Sequence, residues 1–413
     1  MESNASSAAA IRVARVITRL NVGGPAIQAV SLSARLRDYE VLTELIHGRL
    51  SAGEGDMAYL LASHNVKATQ LPTLRREVAP LDDLRTCWQI FRIFCRFRPH
   101  IVHTHTAKAG AVGRLAAVAY NLTAGRRHPT RIVHTYHGHV LEGYFSRIAT
   151  ACFVTAERLL ARRTDALVAI SPGLQRELEQ RHRIGRPRQY RLIPLGFDLT
   201  SFAALDAAAR VAARRQLSIP ADVAVVTFVG RLTAIKDPLL FLDMARLLAS
   251  QRSDVVFLIA GGGDLTAQVE SAVRTPILAN RVRLLGWQGD LVAVYGATDV
   301  LVITSRNEGT PVALIEAMAA GVSCVSTDVG GVRDVVTSED LGIVVRRDDQ
   351  IILAEAVSAL IDDPNLRRRI AENARQSVVQ RYKLDRLIRD VHELYTDLLG
   401  DVVGLRRQRA FDP

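Results

Sequence analysis

The sequence of 413 residues lacks several features that would assign it to common protein classes. No apolar run reaches the roughly 18 residues that a membrane-spanning helix needs. The N-terminus has no basic start followed by an uninterrupted apolar stretch, so no secretory signal is predicted. The four cysteines form neither a CxxC pair nor a metal-ligand cluster, and we expect reduced, buried thiols. These absences favour a cytoplasmic protein.

Charge is distributed unevenly along the chain. Residues 1–200 contain 28 Lys and Arg against 15 Asp and Glu, a balance of +13, whereas residues 201–413 contain 25 against 27, a balance of −2. A basic first half predicts an anionic partner for that half. Because no nucleic-acid-binding motif is present, an anionic membrane surface or a phosphorylated acceptor fits better than nucleic acid.

Short apolar runs alternate with segments of helical length from end to end. Two consecutive series of such runs predict two doubly wound, Rossmann-like α/β domains with parallel sheets. Ligands of such sheets bind beyond the carboxyl ends of the strands, so we expect a cleft where two such domains face each other. The runs lie at 12–18, 41–47, 99–105, 131–137, 165–171 and 190–196, and then at 223–230, 255–261, 282–286, 299–305, 322–327 and 341–345.

The predicted domains follow from these two series. The first domain covers 1–198, with 1–10 as a disordered leader, and the second covers 199–384. The stretch 197–222 interrupts the strand rhythm and is the expected linker. A last helix, from about Leu384 to Leu399, has one apolar stripe, so that 385–413 could cap its own domain or cross back to the first.

The segment 82–100 predicts a helix with two apolar lines. Leu84, Trp88 and Phe94 belong to the first line, which we interpret as the docking face. A second line, Ile90, Ile93 and Phe97, alternates with arginines and resembles that of a helix lying at a membrane interface. Plain burial of both lines is favoured over membrane contact.

Two glutamates stand out in "RNEGTPVALIEAMAAG" (306–321). Glu316 lies inside an otherwise apolar helical pattern, and Glu308 precedes it with seven residues between them. An unpaired carboxylate is costly to bury, so each needs donors from the protein or from a ligand. Internal salt bridges are the structural alternative.

Two other segments, each at the end of a predicted strand, could bind phosphate. In "GRLTAIKDP", Arg231 and Lys236 lie beside a predicted helix start, where cations and the helix dipole favour a pyrophosphate. In "RLNVGGPAIQA", Gly23 and Gly24 allow close backbone approach to a ligand. Surface cations and a plain tight turn are the alternatives. Neither segment is a GxGxxG fingerprint, so dinucleotide binding is not indicated.

Histidines follow two strands of the first domain, namely His103 and His105, then His134, His137 and His139. Zinc is disfavoured because strand alternation sends neighbours to opposite faces and no acidic or cysteine ligand accompanies them. A polar contact to substrate is the better interpretation. No DxD metal–nucleotide motif is present either.

Taken together, these segments resemble glycosyltransferase family 4. "GRLTAIKDP", "EGTPVALIEAMAAG", "VGGPAIQA", "VHTHTAKAG", "VHTYHGH" and "IPLGFD" appear in the family's order over roughly residues 12–385, and the two spaced glutamates are the most specific element. The resemblance implies a retaining enzyme of the two-domain GT-B fold. It also implies a sugar nucleotide as donor substrate, with no metal and no other cofactor.

The resemblance also implies roles for individual residues. Glu316 would accept hydrogen bonds from the ribose, and Glu308 would contact the donor sugar. Arg231 and Lys236 would balance the leaving diphosphate. His137 would lie beside the donor sugar and the acceptor, so that His137, Glu308, Arg231 and Lys236 form the expected catalytic set. The remaining expected donor contacts are Gly23, Gly24, Gly286, Trp287, Gly309, Thr310 and Val312, and the expected acceptor contacts are His105, Lys108 and His139.

The function that this resemblance implies is transfer of a hexose from a nucleotide diphosphate, with UDP expected, to an acceptor hydroxyl. The acceptor would attack the face that the diphosphate leaves. A polyprenyl-diphosphate-linked glycan in bacterial polysaccharide assembly, reached by peripheral contact with an anionic membrane, is the expected acceptor. A GT-B epimerase or phosphorylase and a non-catalytic sugar-nucleotide-binding protein are the alternatives.

Overall fold

The computed structural model describes residues 10–21, 23–51, 54–138, 147–347 and 349–400. The chain divides into two compact units, one formed by Met1–Phe197 with Leu384–Pro413 and the other by Asp198–Lys383. Each unit has its own parallel sheet and its own apolar core.

The first unit contains a seven-stranded sheet of order β3-β2-β1-β4-β5-β6-β7, in which every pairing is parallel. Its strands are almost continuously apolar because helices cover both faces of such sheets. The strands are β1 Ile11–Ile17, β2 Val41–His47, β3 Ala68–Gln70, β4 Ile101–His105, β5 Arg131–Tyr136, β6 Ala166–Ala169 and β7 Tyr190–Leu192.

Helices lie between most of these strands, because a crossover between parallel strands needs a connection of a dozen or more residues. They are α1 Gly24–Arg35, α2 Tyr59–Ser63, α3 Pro80–Phe97, α4 Ala107–Leu122, α5 Arg147–Ala161 and α6 Pro172–Arg176. Short 3-10 turns at Leu36–Tyr39 and Pro187–Gln189 and a π-helical turn at Glu177–Arg181 complete the described connections.

The second unit contains a six-stranded parallel sheet of order β10-β9-β8-β11-β12-β13. Its strands are β8 Ala224–Val229, β9 Val255–Ala260, β10 Val282–Gly286, β11 Val300–Ile303, β12 Ser323–Thr327 and β13 Ile343–Val345. Its helices are α7 Thr200–Ala203, α8 Ala207–Gln216, α9 Pro238–Gln251, α10 Thr266–Val273, α11 Val292–Ala297, α12 Val312–Ala319, α13 Val332–Val335, α14 Gln350–Asp362 and α15 Pro364–Tyr382, with a 3-10 turn at Glu339–Leu341.

The last described helix, α16 Leu384–Leu399, returns to the first unit. Its apolar stripe packs against β1, β4 and β5 residues in one core cluster, in which Leu387, Val391 and Tyr395 are buried. The amide of Leu384 donates a hydrogen bond to the Phe197 carbonyl at 2.9 Å, which fixes the point of return.

These findings confirm the fold class and all twelve expected strands. The short strand β3 was not predicted, because its three residues, "ATQ", have no apolar run. The chain passes from the first unit to the second between Phe197 and Asp198, at the start of the expected linker 197–222, but α7 and α8 occupy most of that stretch and belong to the second unit. Arg210 of α8 donates to the carbonyls of Ala320 and Gly321 at 2.8 Å, which anchors this helix in its unit.

The buried face of α3 also differs from the prediction. Thr86, Ile90, Ile93 and Phe94 are buried, whereas Leu84 and Trp88 of the expected docking line are exposed. The buried-thiol prediction fails as well, because Cys152 is exposed. Within the described ranges no helix is long and apolar enough to cross a membrane.

Candidate active site

The strand order of the second unit reverses between β8 and β11, and ligands of open α/β sheets bind at such a reversal. The loops that follow these two strands are tied together there. Thr304 Oγ1 lies 2.8 Å from the Asp237 carbonyl, and the amide of Arg306 donates to the Ile235 carbonyl at 2.8 Å. Residues from both loops are therefore held at one point of the sheet edge.

Lys236 and Glu308 meet at this point. Lys236 Nζ donates to Glu308 Oε1 at 2.5 Å, and Ser305 Oγ donates to the same oxygen at 2.6 Å. Glu308 is only 7% exposed, so it has the partners that a buried carboxylate requires. Both hydrogen bonds end on Oε1, which leaves Oε2 for a hydroxyl donor, and the Lys236 ammonium keeps further N–H groups for an anion.

Arg231 lies in the same loop, just after β8, with its side chain exposed. Asp237, at the end of the loop, adopts a left-handed conformation (φ 48°) and caps α9 by accepting from the Leu240 amide. Arg306 Nε donates to Asp237 Oδ2 at 2.7 Å, which holds this unfavourable backbone conformation in place. The turn thus fixes the backbone next to Lys236.

A glycine pair supports the loop that carries Glu308. The amide of Gly331 donates to the Glu308 carbonyl at 3.0 Å. A Cβ at Gly331 would lie 1.7 Å from the Gly309 carbonyl oxygen, and one at Gly330 would lie 2.0 Å from that of Glu308. Only glycine permits this approach, which positions Gly309 and Thr310 immediately before α12.

Glu316 lies on α12, which also carries Val312, and it is half-buried with no cation among its described partners. The Tyr295 hydroxyl is 3.1 Å from Glu316 Oε2 and 3.2 Å from the Ala313 carbonyl, so one proton serves two acceptors. Burial raises the pKa of Glu316 to about 7, although the hydrogen bond from Tyr295 lowers this pKa in part. Among the described residues this carboxyl has one shared donor, whereas Glu308 has two donors of its own.

Gly286 ends β10 and Trp287 follows it, on the β8 side of the reversal. Gly286 has φ 66°, and its carbonyl accepts from the Gly261 amide at 2.7 Å. Trp287 is exposed. The backbone of this turn lies at the carboxyl end of its strand, as the expected base-binding role requires.

In the first unit, Gly23 and Gly24 form the start of α1. Gly23 has φ 155° and caps the helix through its carbonyl, without a side-chain cap. A Cβ there would meet only Pro25 Cδ, at 3.6 Å, so the backbone conformation rather than space requires glycine. The N-terminus of this twelve-residue helix carries the positive end of the helix dipole, which favours an anion.

His137 and His105 lie at the ends of β5 and β4. His105 Nδ1 is 3.0 Å from His137 Nε2, and His105 Nε2 is 3.1 Å from an Arg15 nitrogen. Burial lowers the pKa of His137 to about 3 and that of His105 well below its ordinary value. Both ring nitrogens of His105 are thus occupied inside its unit, and its side chain is fully buried, which argues against the direct acceptor contact expected from the sequence.

Lys108 and His139 are the other two residues expected to contact the acceptor. Lys108 Nζ is 2.6 Å from Asp83 Oδ1 and donates to the Glu77 carbonyl at 2.6 Å, so its charge is already balanced. His139 lies outside the described residues. No group of three or more His, Cys, Asp or Glu side chains in the described ranges could hold a metal ion.

Sequence reasoning missed several residues of these sites. Tyr295 and Ser305 were overlooked because a lone Tyr or Ser has no pattern of its own. Arg15 gave a usable signal, since a charged residue in the middle of the apolar run "RVARVIT" is unusual for a buried strand. For Tyr395 the sequence indicated only a position on the apolar stripe of α16 and no hydrogen bond.

Comparison with known proteins agrees with this arrangement. A family model described as "Glycosyl transferase 4-like domain" matches residues 23–196, and one described as "Glycosyl transferases group 1" matches residues 210–377. The chain is 27% identical, over 81% of its length and 85% of the relative's, to UDP-Gal:alpha-D-GlcNAc-diphosphoundecaprenol alpha-1,3-galactosyltransferase from Escherichia coli. It is 23% identical, over 80% and 85%, to the Staphylococcus aureus capsular polysaccharide biosynthesis glycosyltransferase CapM.

A solved Anabaena structure, HepE in complex with UDP, superimposes with a TM-score of 0.77 at 20% identity, covering 94% of this chain and 100% of that one. The two parallel-sheet units and this likeness define a GT-B protein. The chain belongs to the family 4 glycosyltransferases, and it is a sugar-transferring enzyme.

Proposed function

We propose that the chain transfers a hexose from UDP to a hydroxyl group of a polyprenyl-diphosphate-linked glycan, with retention of configuration and without a metal ion. The observation that carries the proposal is the site at the strand-order reversal of the second unit. There Lys236 and Glu308 form one pair, while the half-buried Glu316 has a single shared donor among the described residues.

The donor assignment follows from the chemistry of these groups. The vicinal hydroxyls of a ribose supply the donors that Glu316 lacks, and Glu308 Oε2 is open to a hydroxyl of the transferred sugar. Lys236 and the exposed Arg231 suit the diphosphate. The names of the E. coli relative and of the Anabaena structure, which include UDP-Gal and UDP, support uracil as the base.

The reaction exchanges one bond at the anomeric carbon for another. The bond from that carbon to the diphosphate oxygen breaks, and a bond to the acceptor oxygen forms on the same face. The acceptor proton passes to the departing diphosphate. Lys236 and Arg231 stabilise the charge that develops on this leaving group, so that side-chain cations take the role that a metal has elsewhere.

The lipid-linked acceptor is supported by the name of the E. coli relative, which specifies a diphosphoundecaprenol glycan. The exposed face of α3 fits such an acceptor. Leu81, Leu84 and Trp88 are 75%, 71% and 57% exposed, and the side chains of Arg85 and Arg92 lie on the same face. Arg92 stacks over Trp88, with 4.7 Å from its guanidinium carbon to the ring centroid. Apolar residues beside arginines are typical of peripheral contact with anionic lipid.

A vesicle experiment tests this part of the proposal. We expect the protein to sediment with anionic but not with neutral liposomes at low salt, and Leu84→Ser combined with Trp88→Ser to abolish the sedimentation. Ile351→Ser is the matched control, because Ile351 is 56% exposed on α14 of the other unit. Equal recovery of wild type in the supernatant with both lipid types would overturn membrane contact.

Transfer itself is tested with UDP-hexoses and a short-chain polyprenyl-diphosphate glycan. We expect UDP release that requires the acceptor and continues at nearly the full rate in excess chelator. Interconversion of UDP-hexoses without acceptor would indicate an epimerase, and binding without turnover would indicate a non-catalytic protein. A loss of rate that divalent cation restores would contradict metal independence alone.

A further inference from the structure

A chain of hydrogen bonds runs through the core of the first unit and begins at Arg15. This residue lies in β1 and is fully buried, and its described partners are His103, His105 and Tyr395. No carboxylate in the described part of the chain pairs with it. A buried guanidinium without a counter-ion is costly, so the arrangement calls for an explanation beyond packing.

The direction of each hydrogen bond follows from the fact that a guanidinium donates and never accepts. Arg15 Nη1 lies 3.1 Å from His105 Nε2, so this nitrogen must carry a lone pair. A neutral His105 then has its proton on Nδ1. That N–H points at His137 Nε2, 3.0 Å away, and His137 Nε2 must accept.

The same logic fixes the protonation of His137. With its Nε2 accepting, a neutral imidazole carries its proton on Nδ1. An imidazolium would set an N–H on Nε2 against the N–H of His105, so the charged form is disfavoured. His137 Nδ1 is shielded from solvent and has no hydrogen-bond partner among the described residues. The chain of hydrogen bonds therefore ends at His137 Nδ1, an N–H donor without an acceptor among the described residues.

A second branch holds Arg15 itself. Arg15 Nη2 donates to the Tyr395 hydroxyl at 3.1 Å, and this hydroxyl donates to His103 Nδ1 at 2.6 Å. His103 then donates from Nε2 to Thr135 Oγ1, 2.7 Å away. The His103 and His105 rings stack with centroids 4.3 Å apart. Helix α16 thus contributes Tyr395, which holds Arg15 in position at the start of the hydrogen-bond chain.

We propose that Arg15 and His105 are positioning residues that hold His137 as the neutral Nδ1–H tautomer, ready to donate to an oxygen of the sugar nucleotide. The identity of that ligand rests on the proposed function, whereas the tautomer does not. In this state His137 is a hydrogen-bond donor at Nδ1 and cannot take a proton there. It would orient or stabilise an oxygen of the substrate rather than act as a general base.

The tautomer is tested without substrate. In protein labelled with ¹⁵N-histidine, long-range ¹H–¹⁵N correlation distinguishes protonated from unprotonated ring nitrogens, and His137→Gln identifies the His137 signals. We expect Nδ1 protonated, Nε2 unprotonated and no titration between pH 8 and pH 5. In Arg15→Met, or in Arg15→Gln if the first variant does not fold, we expect the His137 signals to shift toward the other tautomer, because neither side chain forces His105 Nε2 to accept. An Nε2–H tautomer in wild type, or His137 signals unaffected by Arg15 substitution, would overturn the positioning role.

The donor role is tested by two amides. The amide nitrogen of asparagine lies near the position of histidine Nδ1, and that of glutamine lies near Nε2. We expect His137→Asn to retain transfer and UDP-hexose affinity far better than His137→Gln, with a difference of roughly tenfold or more, the value of one strong hydrogen bond. Equal activity of the two variants would contradict a ligand contact through Nδ1, even where the NMR result holds.

Discussion

Each unit holds one ionisable side chain near the reversal point of its sheet, without an oppositely charged partner in the described structure. The first unit encloses the fully buried Arg15 guanidinium among neutral histidines and a tyrosine. The second holds the half-buried Glu316 carboxyl beside a shared tyrosine hydroxyl. The first arrangement ends at His137 Nδ1, a donor without a partner among the described residues, whereas the second ends at an acceptor that is still partly exposed.

A second contrast lies inside the second unit. Glu308 has both Lys236 and Ser305 as donors, whereas Glu316 has neither a cation nor an unshared donor among the described residues. Within those residues the structural alternative of an internal salt bridge is realised for Glu308 and not for Glu316. This difference separates a carboxylate that the protein keeps in position from a partly exposed one that a ligand can reach.

The largest effect is expected for Glu308→Gln, which keeps the shape of the side chain and removes its charge. We expect transfer to fall roughly 100- to 1,000-fold, the effect of losing one preorganised electrostatic group at a reacting centre. Initial rates with saturating UDP-hexose measure it. Glu355→Gln, at an exposed position of α14, is the control. A rate within a few-fold of wild type would place Glu308 away from the chemistry.

A smaller loss is expected for Gly331→Ala. Its Cβ would lie 1.7 Å from the Gly309 carbonyl oxygen, so the loop that carries Glu308 must shift. A misplacement of about 1 Å near the reacting groups lowers the rate roughly a hundredfold. Gly289→Ala, where a Cβ would meet nothing within 4 Å, is the matched control. If both variants keep the wild-type rate, the glycine pair does not position the loop.

The pH dependence of stability should separate the two glutamates further. Since burial raises the pKa of Glu316 to about 7, the folded protein binds its proton more tightly than the unfolded chain does. Wild type then loses stability as pH rises from about 4.5 to 7, and Glu316→Gln does not. We expect the free energy of unfolding of the variant, relative to wild type, to increase by roughly 2 kcal/mol between pH 5 and pH 8.

Melting temperatures of the ligand-free proteins at several pH values check this expectation. Glu355→Gln again serves as the control, because an exposed carboxyl should show no such trend. A difference between Glu316→Gln and wild type that stays constant from pH 5 to pH 8 would show that Glu316 is not protonated more readily in the folded state.

The strands and the two-unit fold could be predicted because parallel strands buried on both faces appear as apolar runs. The orientation of α3 could not, since its buried face includes Thr86, whose hydroxyl is satisfied by Thr73 Oγ1 at 2.7 Å. Periodicity alone cannot distinguish a satisfied buried threonine from an exposed one. The exposed Leu84 and Trp88 therefore drew the prediction to the wrong side of the helix.

The residues of the candidate site stood out in the sequence, whereas the contacts between them did not. Glu308, Glu316, Lys236 and His137 stood out through their motifs, but the pairing of Lys236 with Glu308 joins residues 72 positions apart. Such a contact depends on which strand ends are neighbours, and the sequence does not give the strand order. Their partners Tyr295 and Arg15 are buried residues. Which residues they contact becomes visible only in three dimensions.

Calorimetric titration of UDP into Glu316→Ala and Glu308→Ala tests the central claim most directly. We expect Glu316→Ala to bind UDP roughly ten- to a hundredfold more weakly than wild type, because the ribose loses hydrogen bonds to a charged group. Glu308→Ala should bind UDP as tightly as wild type or more tightly, since Lys236 loses its carboxylate partner and is free for the diphosphate. Equal UDP affinity of the two variants, or a loss confined to Glu308→Ala, would contradict the account.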